Sequence, residues 1–195
     1  MVARGFRVAT FDLLGQGASD KPALFISQDD QVAALALLID QLGDVPIFLG
    51  GISFGGLIAL RYAIDRGDRL AGLALMSSFA ELSPQLLLLG NALRTGLILN
   101  GEFDSLTPRS LHETLRLGIP DSALVIIPRA FHAFTLEKPA LTADLLCRFA
   151  EDVLARKWKG DRAVWIAPEK AGEALIPFPR GHDHLRAIPA HAAPP

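Results

Sequence analysis

Only one cysteine, Cys147, stands among the 195 residues, so no disulfide can form within the chain, as befits a reducing compartment. Neither charge is in excess: 19 Lys and Arg face 21 Asp and Glu, for a formal net charge of -2. That excludes the basic stripe that binding to a phosphate backbone demands, and nucleic acid is not an expected partner. Long apolar runs are missing too. The richest stretch, Leu86 to Leu99, is broken by Asn91 and Arg94 and falls short of the roughly 18 uninterrupted apolar residues of a membrane span. The first residues, Met1-Val2-Ala3-Arg4-Gly5-Phe6, lack the apolar run of about 7 to 15 residues that a secretory signal carries. The expectation left by these absences is a cytoplasmic protein with room for one hydrophobic core.

What is there is a rhythm of short apolar runs and longer segments of helical period. Phe6 to Phe11 is β-branched and aromatic and predicts a first strand. Ser27 and Asp30 have capping-box spacing, and Val32, Leu35, Ala36, Ile39 and Leu42 follow on one helical face, ending near Gly43. Val45 to Gly50 predicts a second strand, Phe54 to Asp65 a second helix and Leu70 to Met76 a third strand. The pattern resumes with a strand at Leu97 to Asn100, a helix with Thr107 as cap and Pro108 at its first position, and a strand at Ala123 to Ile127. A last helix follows Pro139 and runs to about Arg156; Cys147 lies on its apolar side.

Parallel strands need crossover connections, so this alternation predicts an α/β three-layer sandwich with a mostly parallel sheet of about five strands. From about Lys157 the composition changes, with six of the 13 prolines between Pro168 and Pro195. We expect a core over 1-156 and a Pro-rich arm over 157-195. Trp165, Ile166, Leu175, Ile176 and Phe178 are apolar enough to dock the middle of that arm, leaving its last residues to fray.

Gly51-Ile52-Ser53-Phe54-Gly55 fits G-x-S-x-G. Its serine directly follows a strand and opens a helix, a sharp turn that flanking glycines relieve. The helix start aims free N–H groups at an oxyanion formed on an attacked carbonyl. A serine that merely caps the helix is the competing reading. To act as a nucleophile Ser53 needs a base, and of the five histidines only His132 follows a strand by a short loop. His112 falls within a helix, and His182, His184 and His191 within the arm. His182 and His184 have no evident third ligand, so neither a metal nor a cofactor is expected. Asp104, on the loop after the fourth strand and before the cap at Thr107, is the favoured carboxylate over Glu102, which can still lie along the strand.

At these residues the chain resembles the α/β-hydrolase superfamily, in its serine hydrolase branch, with the order Ser53, Asp104, His132. Asp12-Leu13-Leu14-Gly15-Gln16-Gly17-Ala18-Ser19 is similar to that family's D-x-x-G-x-G-x-S turn, and His132 to Pro139 to its H-x-x-x-x-E-x-P segment. The resemblance implies a small acyl ester or thioester as substrate, with Phe54 N–H in the oxyanion hole and Gly51 and Gly55 shaping the elbow. Serine at position 53 argues against the aspartate-dependent dehalogenases and epoxide hydrolases.

Three departures accompany it. The strands that precede the D-x-x-G-x-G turn in the family have no counterpart in this sequence, and Arg4-Gly5 reads as the end and C-cap of a helix. The strand that donates the second oxyanion group belongs between Phe6–Phe11 and Val45–Gly50, so those two either close up or leave unpaired edges. Residues 77–96 are too few for a complete helical cap, and Arg129-Ala130 stand where relatives often have glycine. Beside ester hydrolysis stand two other readings: an acyltransferase using the same acyl-serine, as in 3-hydroxyacyl transfer, and a truncated, catalytically weak remnant.

Overall fold

The computed structural model describes residues 1–23, 25–80 and 94–178. Its frame is a six-stranded sheet built from β1 (Phe48–Ile52), β2 (Gly72–Met76), β3 (Thr95–Gly101), β4 (Asp121–Ile127), β5 (Ala163–Ile166) and β6 (Ile176–Pro177). The strands lie side by side in chain order, β1 to β5 parallel and β6 antiparallel. Such an order puts the carboxyl ends of β1 to β4 along one edge, where ligands of open α/β sheets bind.

Helices cover both faces, which is why the strands read as apolar runs rather than alternating ones. Helices α2 (Phe54–Arg66) and α3 (Arg109–Gly118) pack Ala59, Ala63, Leu115 and Ile119 against Leu73, Leu75, Ile98 and Leu124. The short α4 (Phe134–Glu137) and long α5 (Pro139–Leu154) cover the other face, with Phe134, Leu141, Leu145 and Phe149 on Leu97, Leu99, Val125 and Ile127. Cys147 is buried as a free thiol. Helix α1 (Gln28–Gln41) lies on α2, joined by Leu35, Ile39, Ile58 and Tyr62. The capping box expected of Ser27 and Asp30 opens α1: the Ser27 hydroxyl accepts from Asp30 N–H and the Asp30 carboxylate from Ser27 N–H.

Phe6 to Phe11 does not form the expected first strand. A strand exists only through a neighbour that takes up its backbone groups; this segment has none among the described residues, and Val8 and Phe11 are exposed. The outer edge of β1 accordingly has no partner strand among the described residues. The second strand begins at Phe48 rather than Val45. Val2–Arg4 forms a single 3₁₀ turn closed by Gly5 in the left-handed region at φ 84°, the helix end expected of Arg4-Gly5. Arg4 holds this turn to α5 through Asp144 and Glu151.

Thr107 is not the cap of α3. Pro108 occupies that position and no side chain caps the helix; the Thr107 hydroxyl is engaged by Asp104 instead. Forgoing a cap costs a helix about 1 kcal/mol.

Beyond α5 the sheet continues. Residues 163–166 pair with β4, Trp158 packs edge-on against Phe149 at 4.7 Å, and the Arg109 guanidinium stands 4.3 Å above the Phe178 ring. The histidines at 182, 184 and 191, and most of the segment expected to be too short for a cap, lie outside the described residues.

Candidate active site

Ser53 sits between β1 and α2 at φ 51° and ψ -121°, a backbone conformation rarely tolerated by a residue with a side chain and costing on the order of 1–3 kcal/mol. Close packing holds it there. Ser53 N–H donates to Met76 O at 2.9 Å, and the Ser78 hydroxyl donates to Ser53 O at 3.3 Å. A Cβ at Gly51 would lie 2.3 Å from the Gly55 carbonyl oxygen, so β1 and the first turn of α2 approach through a glycine. At Gly55 itself a Cβ meets nothing among the described residues, whereas at Gly56 it would lie 2.4 Å from Ser78 Oγ. The second space-making glycine is thus Gly56, one residue beyond the one the G-x-S-x-G spacing suggests.

The Ser53 hydroxyl does not cap α2, which removes the competing structural reading. Phe54 is the first residue of the helix, so its N–H, next to the serine, has no intrahelical acceptor.

The expected partnership of Asp104 and His132 is present. His132 Nδ1 lies 2.9 Å from Asp104 Oδ2 and 3.1 Å from Oδ1. Asp104 follows β3, His132 follows β4, and the Asp104 side chain is fully buried while that of His132 is partly exposed. Burial alone would push the Asp104 carboxyl upward, but hydrogen bonds from the Thr107 hydroxyl and N–H, together with the one to His132, outweigh it and hold it below the usual carboxylate range. The buried Ser77 hydroxyl finds no hydrogen-bond partner among the described residues. An ionised Asp104 only accepts, so Nδ1 of a neutral His132 carries the proton and Nε2 is left as the basic atom. No hydrogen bond joins Ser53 Oγ to His132 among the described residues.

Glu102, the alternative carboxylate, turns elsewhere: its Oε2 accepts from Arg129 N–H at 2.8 Å. Glu137 accepts from Phe131 N–H at 3.1 Å. The two glutamates therefore brace the loop that carries His132 from either end, a role for the glutamate of the H-x-x-x-x-E segment that its spacing alone does not reveal. Arg129, where a glycine is often found, adopts φ 51°, the left-handed conformation that glycine favours. In the D-x-x-G-x-G-x-S turn, Asp12 Oδ2 accepts from Ala18 N–H at 2.8 Å, and the buried Gln31 amide bonds both the N–H and the carbonyl of Leu14, tying the turn to α1.

His112 lies in α3, as its pattern predicted, and is fully buried with Nδ1 3.3 Å from Pro108 O. No helix among the described residues is long and apolar enough to cross a membrane.

A parallel sheet with a strained strand-serine-helix turn and an Asp–His pair on neighbouring strand ends is the arrangement of the α/β-hydrolase fold. The sequence model described as "alpha/beta hydrolase fold" matches residues 2–96, and the chain has an α/β-hydrolase fold. It is similar to Lipase LipV of Mycobacterium tuberculosis (strain ATCC 25618 / H37Rv), 44% identical over 69 residues that make up 35% of this chain and 26% of the lipase. The match thus spans about a quarter of that relative's length. Among solved structures it is similar to a thermophilic esterase from Thermogutta terrifontis, with a TM-score of 0.63 and 23% identity over 73% of this chain and 78% of the other. It is also similar to MGS-M2, an alpha/beta hydrolase enzyme from a Medee basin deep-sea metagenome library, with a TM-score of 0.63 and 21% identity over 72% and 78%.

Proposed function

We propose that the chain hydrolyses a carboxylic ester or thioester through an acyl-serine intermediate, with Ser53 as nucleophile, His132 as general base and Asp104 orienting that base. One observation carries the reading: the Asp104–His132 pair, 2.9 Å apart, shares the carboxyl edge of the sheet with a serine on a strained turn at a helix start. His132 Nε2 takes the hydroxyl proton as Ser53 Oγ bonds to the acyl carbon, and the carbonyl oxygen becomes an oxyanion facing Phe54 N–H. Collapse expels the alcohol or thiol, protonated by His132. Water, deprotonated by the same imidazole, then releases the acid and restores Ser53. The similarity to a lipase and an esterase supports an ester as substrate, and the lone buried cysteine is compatible with a cytoplasmic setting.

A fluorophosphonate probe, which reacts with activated serines, tests this directly. We expect labelling at Ser53 that is lost in Ser53→Ala and in His132→Ala but kept in His112→Ala. Labelling that survives Ser53→Ala refutes the assignment. Release of free acid from p-nitrophenyl esters, against acyl transfer to added thiols or alcohols, separates hydrolysis from transfer.

A further inference from the structure

Thr107 directly precedes Pro108, the cap position of α3, and its side chain makes no capping bond to that helix. Its hydroxyl instead points at Asp104: Oγ1 lies 2.6 Å from Asp104 Oδ2 and 3.4 Å from His132 Nδ1, and Thr107 N–H donates to Asp104 Oδ1 at 2.9 Å. Leu106 N–H adds a second bond to Oδ1 at 3.0 Å. Asn100 Nδ2 donates to Thr107 O at 3.3 Å and steadies the threonine's own backbone. Thr107 is 3% exposed and the Asp104 side chain 0%, so water has no access to replace the hydroxyl.

We infer that Thr107 is a positioning residue for the Asp104–His132 pair, its hydroxyl locking the carboxylate and, through it, the tautomer and orientation of the imidazole. This rests on the roles proposed above for those two residues. The backbone N–H groups of Leu106 and Thr107 bond only Oδ1 and leave Oδ2, the oxygen nearest His132 Nδ1, without a fixed donor of its own. The Thr107 hydroxyl supplies that donor, so both oxygens are held and the position of Oδ2 under His132 is set. Having donated its single hydrogen to Asp104, Thr107 Oγ1 presents only lone pairs to His132. Nδ1 thus meets two acceptors, Asp104 Oδ2 and, more distantly, Thr107 Oγ1. Both require Nδ1 to carry the hydrogen, so the Nε2 lone pair is the one left to receive the serine proton.

The test compares Thr107→Val, which keeps the shape and deletes the hydroxyl, with Thr107→Ser, which keeps the hydroxyl. With p-nitrophenyl esters, the valine variant is expected to lose about tenfold or more in kcat with KM changed less than about twofold, and the serine variant to recover most of that loss. Two readouts do not depend on turnover. By carbon NMR the Asp104 carboxyl should titrate at higher pH in Thr107→Val than in the parent or Thr107→Ser. By nitrogen NMR the neutral His132 should lose part of its Nδ1–H tautomer in Thr107→Val alone. Thr107→Cys, a weaker donor of similar size, gives smaller changes of the same sign and serves if the valine variant does not fold. An unmoved Asp104 titration and tautomer overturn the inference, even if kcat falls, because that pattern belongs to a purely structural threonine. Equal damage from serine and valine overturns it as well. Failure of the parent reading looks different: fluorophosphonate labelling then persists in Ser53→Ala, while the NMR measurements still report whether Thr107 holds the pair.

Discussion

Between pH 6.5 and about 4, acid should weaken this fold through the burial of His112. Its imidazole has no exposed surface, only a 3.3 Å contact from Nδ1 to Pro108 O, and an Nε2 that finds no partner among the described residues. Burial dominates and lowers its pKa from 6.5 to about 4, against the smaller opposing effects of the Pro108 carbonyl and Asp104. Between those two values the unfolded chain binds a proton that the native chain refuses, so stability declines as the pH falls through that window and levels off below about 4. At about 1.4 kcal/mol for each pH unit of the difference, the full loss is about 3 kcal/mol. Urea unfolding of the parent and of His112→Leu at a series of pH values from 7.5 to 4 isolates the effect. The difference in unfolding free energy between the two proteins should shift by about 3 kcal/mol in favour of the variant over that range. A difference that stays constant with pH would show that His112 is not held neutral by burial, and the reasoning fails.

Asp104→Asn should lower kcat for an activated ester by about 10³- to 10⁴-fold, since an amide cannot keep His132 in the working tautomer, whereas Glu102→Gln, which still offers Arg129 N–H an acceptor, should cost less than about tenfold. Steady-state rates for the two variants check this, and a larger loss at Glu102 would move the orienting role there. Gly51→Ala should yield little folded protein, because the added carbon would sit 2.3 Å from the Gly55 carbonyl oxygen, while Gly55→Ala should fold with a thermal midpoint near that of the parent. Comparable yields and midpoints for both would contradict the packing at the elbow.

What was legible in the sequence depended on how far apart the interacting parts lie. Helix α1 could be read because its signals are local: Ser27 and Asp30 bond to each other across three residues, and the apolar face follows at once. The Asp104–His132 contact spans 28 residues yet was legible, since both follow strands of a parallel sheet whose ends share one edge. Phe6 to Phe11 has good strand composition and forms none, because pairing depends on a neighbour that the segment's own residues do not supply. Ala163–Ile166 erred in the opposite direction. Four residues are too short for a period to show among prolines, but β4 offers them a free edge. Thr107 carried a correct local signal, a threonine just before a helix, and lost that role to a charged acceptor three residues away.

The same competition explains the electrostatics around the pair. Asp104 and His112 are both buried ionisable groups near His132, and their surroundings drive them toward opposite states. Asp104 receives hydrogen bonds from two backbone N–H groups and a hydroxyl, enough to outweigh burial and keep it charged. His112 has a single weak contact, and burial keeps it uncharged. Were His112 protonated, its charge would lie close enough to Asp104 and His132 to draw on the carboxylate and to oppose an imidazolium at position 132. A neutral His112 leaves the charge of Asp104 to His132 alone, where the mechanism proposed above has the proton of Ser53 held.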